Sequence, residues 1–259
     1  MNEPSAVIEE HWIKVSDGRH RLWVVRPSGS GPFPAVVWNH GSQVWYDDDG
    51  NLEDHCEEPQ IVGDGWHWRS WADQSGYLIL IPEGRGYAGS DGPRLSDVLY
   101  SPTGVLDFLA GRSEDVEVAV AWLLNRTAVD EARLAITGIS HGGVVALLAS
   151  ARRRYAATVI QGTGPWYQRA DVGLAILQKA AAHVKGPMLV QHFLTDSLVP
   201  VEVSRYIYEA AKKAERDIRL CEYKGTPGVE GHFFHDPRNR NEWLDDHNRF
   251  LARHFAGLK

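Results

Sequence analysis

The chain has 259 residues, 43% of them hydrophobic, which suits one enzyme-sized domain with a substantial core spanning residues 1–259. A net charge of −7 argues against a general nucleic-acid binder, and no run of eighteen apolar residues is present to span a membrane. Two distant cysteines, Cys56 and Cys221, make no disulfide framework, and the acidic start lacks the basic-then-apolar pattern of a signal peptide. A cytoplasmic, reducing location is therefore expected.

In chain order, Leu22–Val25 reads as a short strand before Pro27, and the Ser-Gly-Ser-Gly-Pro stretch at 28–32 as a turn. Ala35–Asn39 is a buried strand ending at His40-Gly41. Residues 42–76 show neither helical nor strand periodicity and read as one long loop. The loop carries Asp47, Asp48, Asp49, Glu53, Asp54, Glu57, Glu58 and Asp64, more acids than the whole-chain net of −7, together with Trp45, Tyr46, Trp66, Trp68 and Trp71. Loops of this length in compact proteins are usually functional or disordered.

Tyr77–Ile81 is the next buried strand, closed by Pro82. Ser113 is expected to cap a helix, with Asp115 and Glu117 in its first turn and Val116, Val120, Leu123 and Leu124 at helical spacing. After the strand and helix around residue 140, further strands are expected at Thr158–Gln161, Met188–Leu194 and Ile218–Tyr223. Helices are expected at Ala175–Val184, Val201–Ala214 and Asn241–Phe255. Such alternation predicts a mostly parallel central sheet with helices on both faces.

Residues 134–143 read Leu-Ala-Ile-Thr-Gly-Ile-Ser-His-Gly-Gly, followed by the apolar run Val144–Leu148. This is Gly-x-Ser-x-Gly between a buried strand and a helix, the setting in which a sharp turn exposes a nucleophilic serine, Ser140. The flanking glycines relieve the crowding of such a turn. The partners of Ser140 should stand on loops at the carboxyl ends of later strands, in the order acid then histidine. Asp196, after the Met188–Leu194 strand, is the leading acid; its competing role is that of a cap for the helix near Val201. His232, after the Ile218–Tyr223 strand, is the leading base, and His235 is the competing imidazole.

These residues resemble an α/β-hydrolase, and more narrowly the dienelactone hydrolase and prolyl oligopeptidase-like branch. The carriers are Asn39-His40-Gly41, the segment Gly84–Gly92, Gly138–Gly143, Thr195–Pro200 and Gly231–Phe234, together covering the chain from about residue 20 to its end. The resemblance implies an α/β-hydrolase fold with a Ser140–His232–Asp196 triad. Dienelactone hydrolases use a cysteine nucleophile where this chain has serine, so their lactone substrate is not carried over; the chain is also too short for the propeller of prolyl oligopeptidases.

In the expected mechanism His232 takes the serine proton and Asp196 orients the imidazole. The oxyanion needs two N–H donors, assigned to the backbone of His141 and of Ser42, with the His141 side chain packing inside. No cofactor is called for. The cluster Asp47, Asp48, Asp49, His55, Cys56 and His67 fails the EF-hand pattern, since Trp45 falls at the first ligand position. Its adjacent His55 and Cys56 are unlike spaced zinc ligands. The loop reads as solvated and acidic, with calcium as the minority alternative, and Arg152-Arg153-Arg154 as a solvated helix end.

About two dozen residues separate the strands ending near Gln161 and beginning at Pro187, room for one helix and no large lid. The pocket is therefore expected under the 42–76 loop, walled by Trp45, Tyr46, Trp66, Trp68, Trp166 and Tyr167. These suit a small-molecule carboxylic ester with an apolar or aromatic part. A small serine peptidase, with the acidic loop anchoring a substrate amine, is the alternative enzyme; a non-catalytic ligand-binding homologue is the alternative outside enzymes.

Overall fold

The computed structural model describes residues 5–47, 49–63, 68–101, 103–126, 128–164 and 170–256. An antiparallel hairpin begins the chain, β1 (Val7–Val15) and β2 (Gly18–Arg26), turning at Ser16-Asp17. β3 (Phe33–Asn39) enters the centre of the sheet. A small separate hairpin, β4 (Val44–Tyr46) and β5 (Leu52–Asp54), is followed by α1 (Gln60–Gly63) and α2 (Trp68–Ser75). Then come β6 (Leu78–Pro82), α3 (Leu95–Val98), α4 (Gly104–Leu124), β7 (Val129–Ile139) and α5 (His141–Arg152). The remainder is β8 (Ala157–Gln161), α6 (Ala170–His183), β9 (Met188–Phe193), α7 (Val201–Lys213), β10 (Ile218–Tyr223) and α8 (Pro237–Ala256).

The main sheet has eight strands in the order β1-β2-β6-β3-β7-β8-β9-β10. β2 pairs antiparallel with β6, and from β6 to β10 every pairing is parallel. The inner strands β3 and β6 read as nearly unbroken apolar runs because both faces are covered, whereas the edge strand β10 carries Arg219 and Glu222. Alternate residues serve the two faces: Ala35, Val37, Leu78, Leu80 and Ile136 pack with α4, α5, α6 and α7. Val36, Ile79, Ile81, Ala135 and Val159 pack with α2 and the end of α8. Between β8 and β9 the described residues hold α6 and no lid domain. No helix among the described residues is long and apolar enough to cross a membrane.

Two expectations are corrected. The segment 42–76 is not a single loop: it contains the β4–β5 hairpin, α1 and α2. Trp68, Trp71 and Ala72 sit at helical spacing on α2 and bury that stripe against the sheet. α4 begins at Gly104, and Ser113 lies inside it, its hydroxyl donating to Ala110 O at 2.6 Å. The sequence also hid β1 and most of β2, whose polar and apolar residues share an edge hairpin.

Candidate active site

The carboxyl ends of β3, β7, β8, β9 and β10 lie side by side in the sheet, so their following loops converge at one edge. Ser140 stands between β7 and α5 with φ +54° and ψ −122°, a conformation that non-glycine residues rarely adopt. Its hydroxyl does not cap α5. The turn closes through Gly143 N–H to Ser140 O at 3.0 Å, and Ser140 N–H donates to Gln161 O at 2.8 Å, binding it to β8. The flanking glycines are required by contact: a Cβ on Gly138 would lie 2.1 Å from Gly142 O, and one on Gly142 would lie 2.1 Å from Asn39 O.

Asp196 and His232 meet beside that turn. His232 Nδ1 donates to Asp196 Oδ2 at 2.8 Å, leaving Nε2 on the outer side of the ring. Gly162, the residue after Gln161, lies against the pair: a Cβ there would be 3.2 Å from Asp196 Oδ2 and 3.3 Å from His232 Nδ1. Thus Ser140 bonds to one residue of the β8 end, and the next residue touches the acid–histidine pair. His235 is exposed and lies tilted by 44° against Phe233, 5.6 Å between ring centroids.

Asp196 does not cap α7, whose N-cap is Pro200 with no side-chain capping bond. Oδ1 accepts the backbone N–H groups of Leu198 (3.0 Å) and Val199 (2.8 Å), shaping the approach to α7, while Oδ2 faces His232. A second imidazole, His192, is fully buried beneath it. Its Nε2–H lies 2.9 Å from Val199 O and 3.3 Å from Asp196 Oδ2, and its Nδ1 faces Ser204 Oγ at 2.7 Å. Burial would raise the Asp196 pKa, but hydrogen bonds from His192 and His232 outweigh it and hold the carboxyl down at about 2.

The His232 loop is anchored from below by aromatics. Phe234 is fully buried, edge-on to Phe193 at 4.9 Å and to Trp243 at 5.8 Å, and the Trp243 indole N–H donates to Phe234 O at 2.8 Å. Leu194, Leu198 and Phe233 remain exposed beside Asp196 and His232, an apolar rim that the sequence did not single out.

The loop after β3 borders the serine: a Cβ on Gly41 would lie 3.6 Å from Ser140 Cβ. The Tyr87 hydroxyl donates to Ser42 O at 2.6 Å, and the Ser42 hydroxyl donates to Val44 O at 3.1 Å. His40 is wedged between Gly41 O (Nδ1, 2.8 Å) and Glu83 O (Nε2, 2.6 Å). The buried Arg112 guanidinium stacks over Tyr87, 5.0 Å to its centroid, and lies 3.4 Å from His40 O. Burial lowers the Arg112 pKa and pushes the Glu83 carboxyl up to about 7. His141 opens α5, where the first backbone N–H groups point out of the helix end. Its side chain is buried, and burial, with Arg112 and His232 nearby, holds the imidazole down at about 3.

The aromatic wall expected for the pocket divides. Trp45 and Tyr46 are exposed on β4; Trp45 stacks on His55, with centroids 4.4 Å apart and planes 7° apart, and Tyr46 OH meets Tyr100 OH at 3.2 Å. Trp68 is a correction: it is buried in the layer beneath α2, edge-on to Trp38 at 5.0 Å, because it belongs to a helix stripe and not to a surface loop. Trp66, Trp166 and Tyr167, along with Asp48, Asp64 and His67, lie outside the described residues.

The acidic segment is held both by partners outside it and by its own backbone. Arg94 pairs with Glu57, the Ser96 hydroxyl donates to Asp54, and Asp47 accepts from the backbone of Asp49 and Asn51. Among the described residues, one group of side chains is spaced for a cation: Asp17, His20 and Asp115. Arg85 already grips Asp115 with two bonds of 2.8 and 2.9 Å and lies 3.4 Å from Asp17, so a guanidinium supplies the positive charge there.

Comparison with known proteins bears on the family and the fold. The family model described as X-Pro dipeptidyl-peptidase (S15 family) matches residues 19–174. An uncharacterised protein of Mycobacterium tuberculosis is 29% identical over 192 residues, 68% of this chain, which spans 60% of that relative's length. A putative carboxymethylenebutenolidase of Methylorubrum extorquens is 25% identical over 230 residues, 86% of this chain and 70% of the relative. The crystal structure of a putative dienelactone hydrolase from Klebsiella pneumoniae superposes with a TM-score of 0.69 at 18% identity, covering 96% of this chain and 99% of that one.

Proposed function

The chain belongs to the X-Pro dipeptidyl-peptidase (S15) family and has the α/β-hydrolase fold, and from that premise we propose that it is a serine hydrolase of carboxylic esters working through an acyl-enzyme. The observation that carries this reading is the 2.8 Å His232–Asp196 pair, set against the end of β8 to which the strained Ser140 turn is bonded.

In this reading His232 Nε2 takes the proton of Ser140 as its oxygen attacks the ester carbonyl. The new C–O bond moves the carbonyl electron pair onto oxygen, where the Ser42 and His141 N–H groups receive it. Asp196 holds the ring in the Nδ1–H tautomer and stabilises its cation. Collapse breaks the ester C–O bond, and the alcohol leaves with the proton from His232. Water repeats the sequence on the acyl-enzyme, releasing the acid and restoring Ser140. No cofactor enters these steps. Trp45 and Tyr46, with the rim of Leu194, Leu198 and Phe233, offer apolar surface to a small ester with an apolar or aromatic part. The carboxymethylenebutenolidase relative favours an ester-type bond.

A peptidase reading is favoured by the family's description and by the half-buried Glu53, paired opposite Trp45, and the exposed Glu58 beside His55, which would suit a substrate ammonium. The two are separated by assaying short p-nitrophenyl esters beside aminoacyl and prolyl p-nitroanilides, with fluorophosphonate labelling of the wild type and of Ser140→Ala. Ester turnover and labelling that vanish together in Ser140→Ala are expected. Anilide turnover exceeding ester turnover would replace the esterase with the peptidase, and labelling that survives in Ser140→Ala would remove the nucleophile.

A further inference from the structure

A second carboxylate, Glu230, stands between the loops that follow β9 and β10, and the triad chemistry gives it no part. Glu230 Oε1 accepts the backbone N–H of Ser197 at 2.9 Å and the backbone N–H of His232 at 3.0 Å. Its other oxygen, Oε2, accepts the Ser197 hydroxyl at 2.5 Å. One side chain therefore grips the residue next to the acid and the residue that bears the imidazole. The main chain adds a parallel rung, Gly231 N–H to Thr195 O at 3.2 Å.

Glu230 is itself fixed from behind. Asn239, fully buried on α8, donates Nδ2 to Glu230 O at 3.0 Å and takes Thr226 N–H on its Oδ1 at 3.3 Å. Burial opposes ionisation of Glu230, yet the bonds from Ser197 and His232 prevail and hold its pKa below the ordinary value. Hydrogen bonds to an ionised acceptor are roughly twice as strong as neutral ones. The Glu230 bonds thus add a charge-assisted link between the two loops beside the Asp196–His232 bond.

We infer that Glu230 is a positioning residue that sets the separation and orientation of Asp196 and His232 by bridging Ser197 to the His232 backbone. The inference builds on the Ser140–His232–Asp196 reading. A carboxylate that only stabilised the fold would change melting temperature; one that aims the imidazole changes turnover with substrate affinity intact, because misplacement near the reacting atoms acts on the chemical step.

The experiment compares wild type with Glu230→Gln, Glu230→Ala and Ser197→Ala, using the p-nitrophenyl ester that the wild type turns over fastest. Three quantities are read: the split between kcat and KM, the melting temperature, and the low-field proton resonance of the His232–Asp196 hydrogen bond. Glu230→Ala is expected to lower kcat roughly 10- to 100-fold with KM within about twofold. Glu230→Gln, which keeps one acceptor, should lose less, and the resonance should shift or broaden in both variants. Wild-type kcat with an unmoved resonance overturns the inference, as does a loss of kcat that merely tracks lost folded protein. If Glu230→Ala does not fold, Glu230→Gln and Ser197→Ala carry the same comparison. If the wild type neither hydrolyses any substrate nor reacts with fluorophosphonate, the hydrolase reading falls; the resonance then still decides the bridge, since displacement supports it and constancy overturns it.

Discussion

The loops carrying Asp196 and His232 and the β4–β5 hairpin border the same edge of the sheet but are built on different terms. In the first region His192, Glu230, Asn239 and Phe234 lock each backbone turn, and the Asp196 carboxylate is satisfied on both oxygens. In the second, a three-residue strand pair turns Trp45 and Tyr46 to solvent; Val44 and Cys56 anchor it in the core, and contacts of Glu57 and Asp54 with Arg94 and Ser96 hold its outer side. Groups that aim a reaction are fixed by buried hydrogen bonds and aromatic packing. Groups that meet different substrates need only stay near the mouth. On the proposed reading, turnover would rest with the first region and selectivity with the second.

The widest separation between the two should come from the imidazoles. His232→Ala is expected to lower kcat by several orders of magnitude, as loss of a triad member does, while His235→Ala stays near wild type. Steady-state kinetics on one ester checks both, and the reverse ranking would move the reaction off the Asp196 pair.

Next in size is the aromatic floor of the first region. Phe234→Ala removes a fully buried ring from between Phe193 and Trp243 and should cost about 3–5 kcal/mol of stability. Denaturant unfolding measures that loss. Turnover of the remaining folded protein should fall as well, because the His232 loop then rests on a cavity; unchanged turnover would mean that the loop is held from above alone.

Smaller effects are expected in the hairpin. Trp45→Ala and Tyr46→Ala should raise KM a fewfold and alter preference among ester chain lengths while kcat stays nearly constant, the signature of uniform binding. Equal loss of kcat for every ester would assign the hairpin a structural task and erase the contrast.

A last, graded effect concerns pH. His141 and His247 are buried, and burial holds their pKa values down at about 3 and about 4. Below the ordinary histidine range the unfolded chain binds protons that the folded chain refuses, so stability is full above about pH 6.5 and declines as pH falls toward those values. The melting temperature should therefore drop between pH 7 and 5, and His247→Phe should flatten part of that slope; a slope identical to wild type would show that His247 titrates in the folded state.

Much of this arrangement was legible because its signals are local. The Ser140 turn needs two glycines and a buried strand, and β3 and β6 needed only apolar runs closed by turn residues. Asp196 and His232 followed from chain order along a parallel sheet. What stayed hidden depends on distant partners. His192 reads as one polar residue in an apolar strand until Ser204 and Asp196 fold onto it. Glu230 reads as another loop acid until Ser197 arrives from an earlier loop. Trp68 was assigned to a loop because α2 is only eight residues long, too short a window for its stripe to stand out among the surrounding acids.

Cys56 gives the hairpin region a built-in clock. Two residues after β5, it is only 1% exposed, its carbonyl accepts Ala88 N–H at 2.6 Å, and burial pushes its thiol up to about 12. A thiol so placed is nearly inert to alkylating reagents at neutral pH, since the thiolate is the reacting species. It becomes reactive only during excursions that lift the chain away from Ala88. In a Cys221→Ser background, the rate of Cys56 alkylation would count those openings directly, and its dependence on reagent concentration would separate how often the mouth opens from how long it stays open.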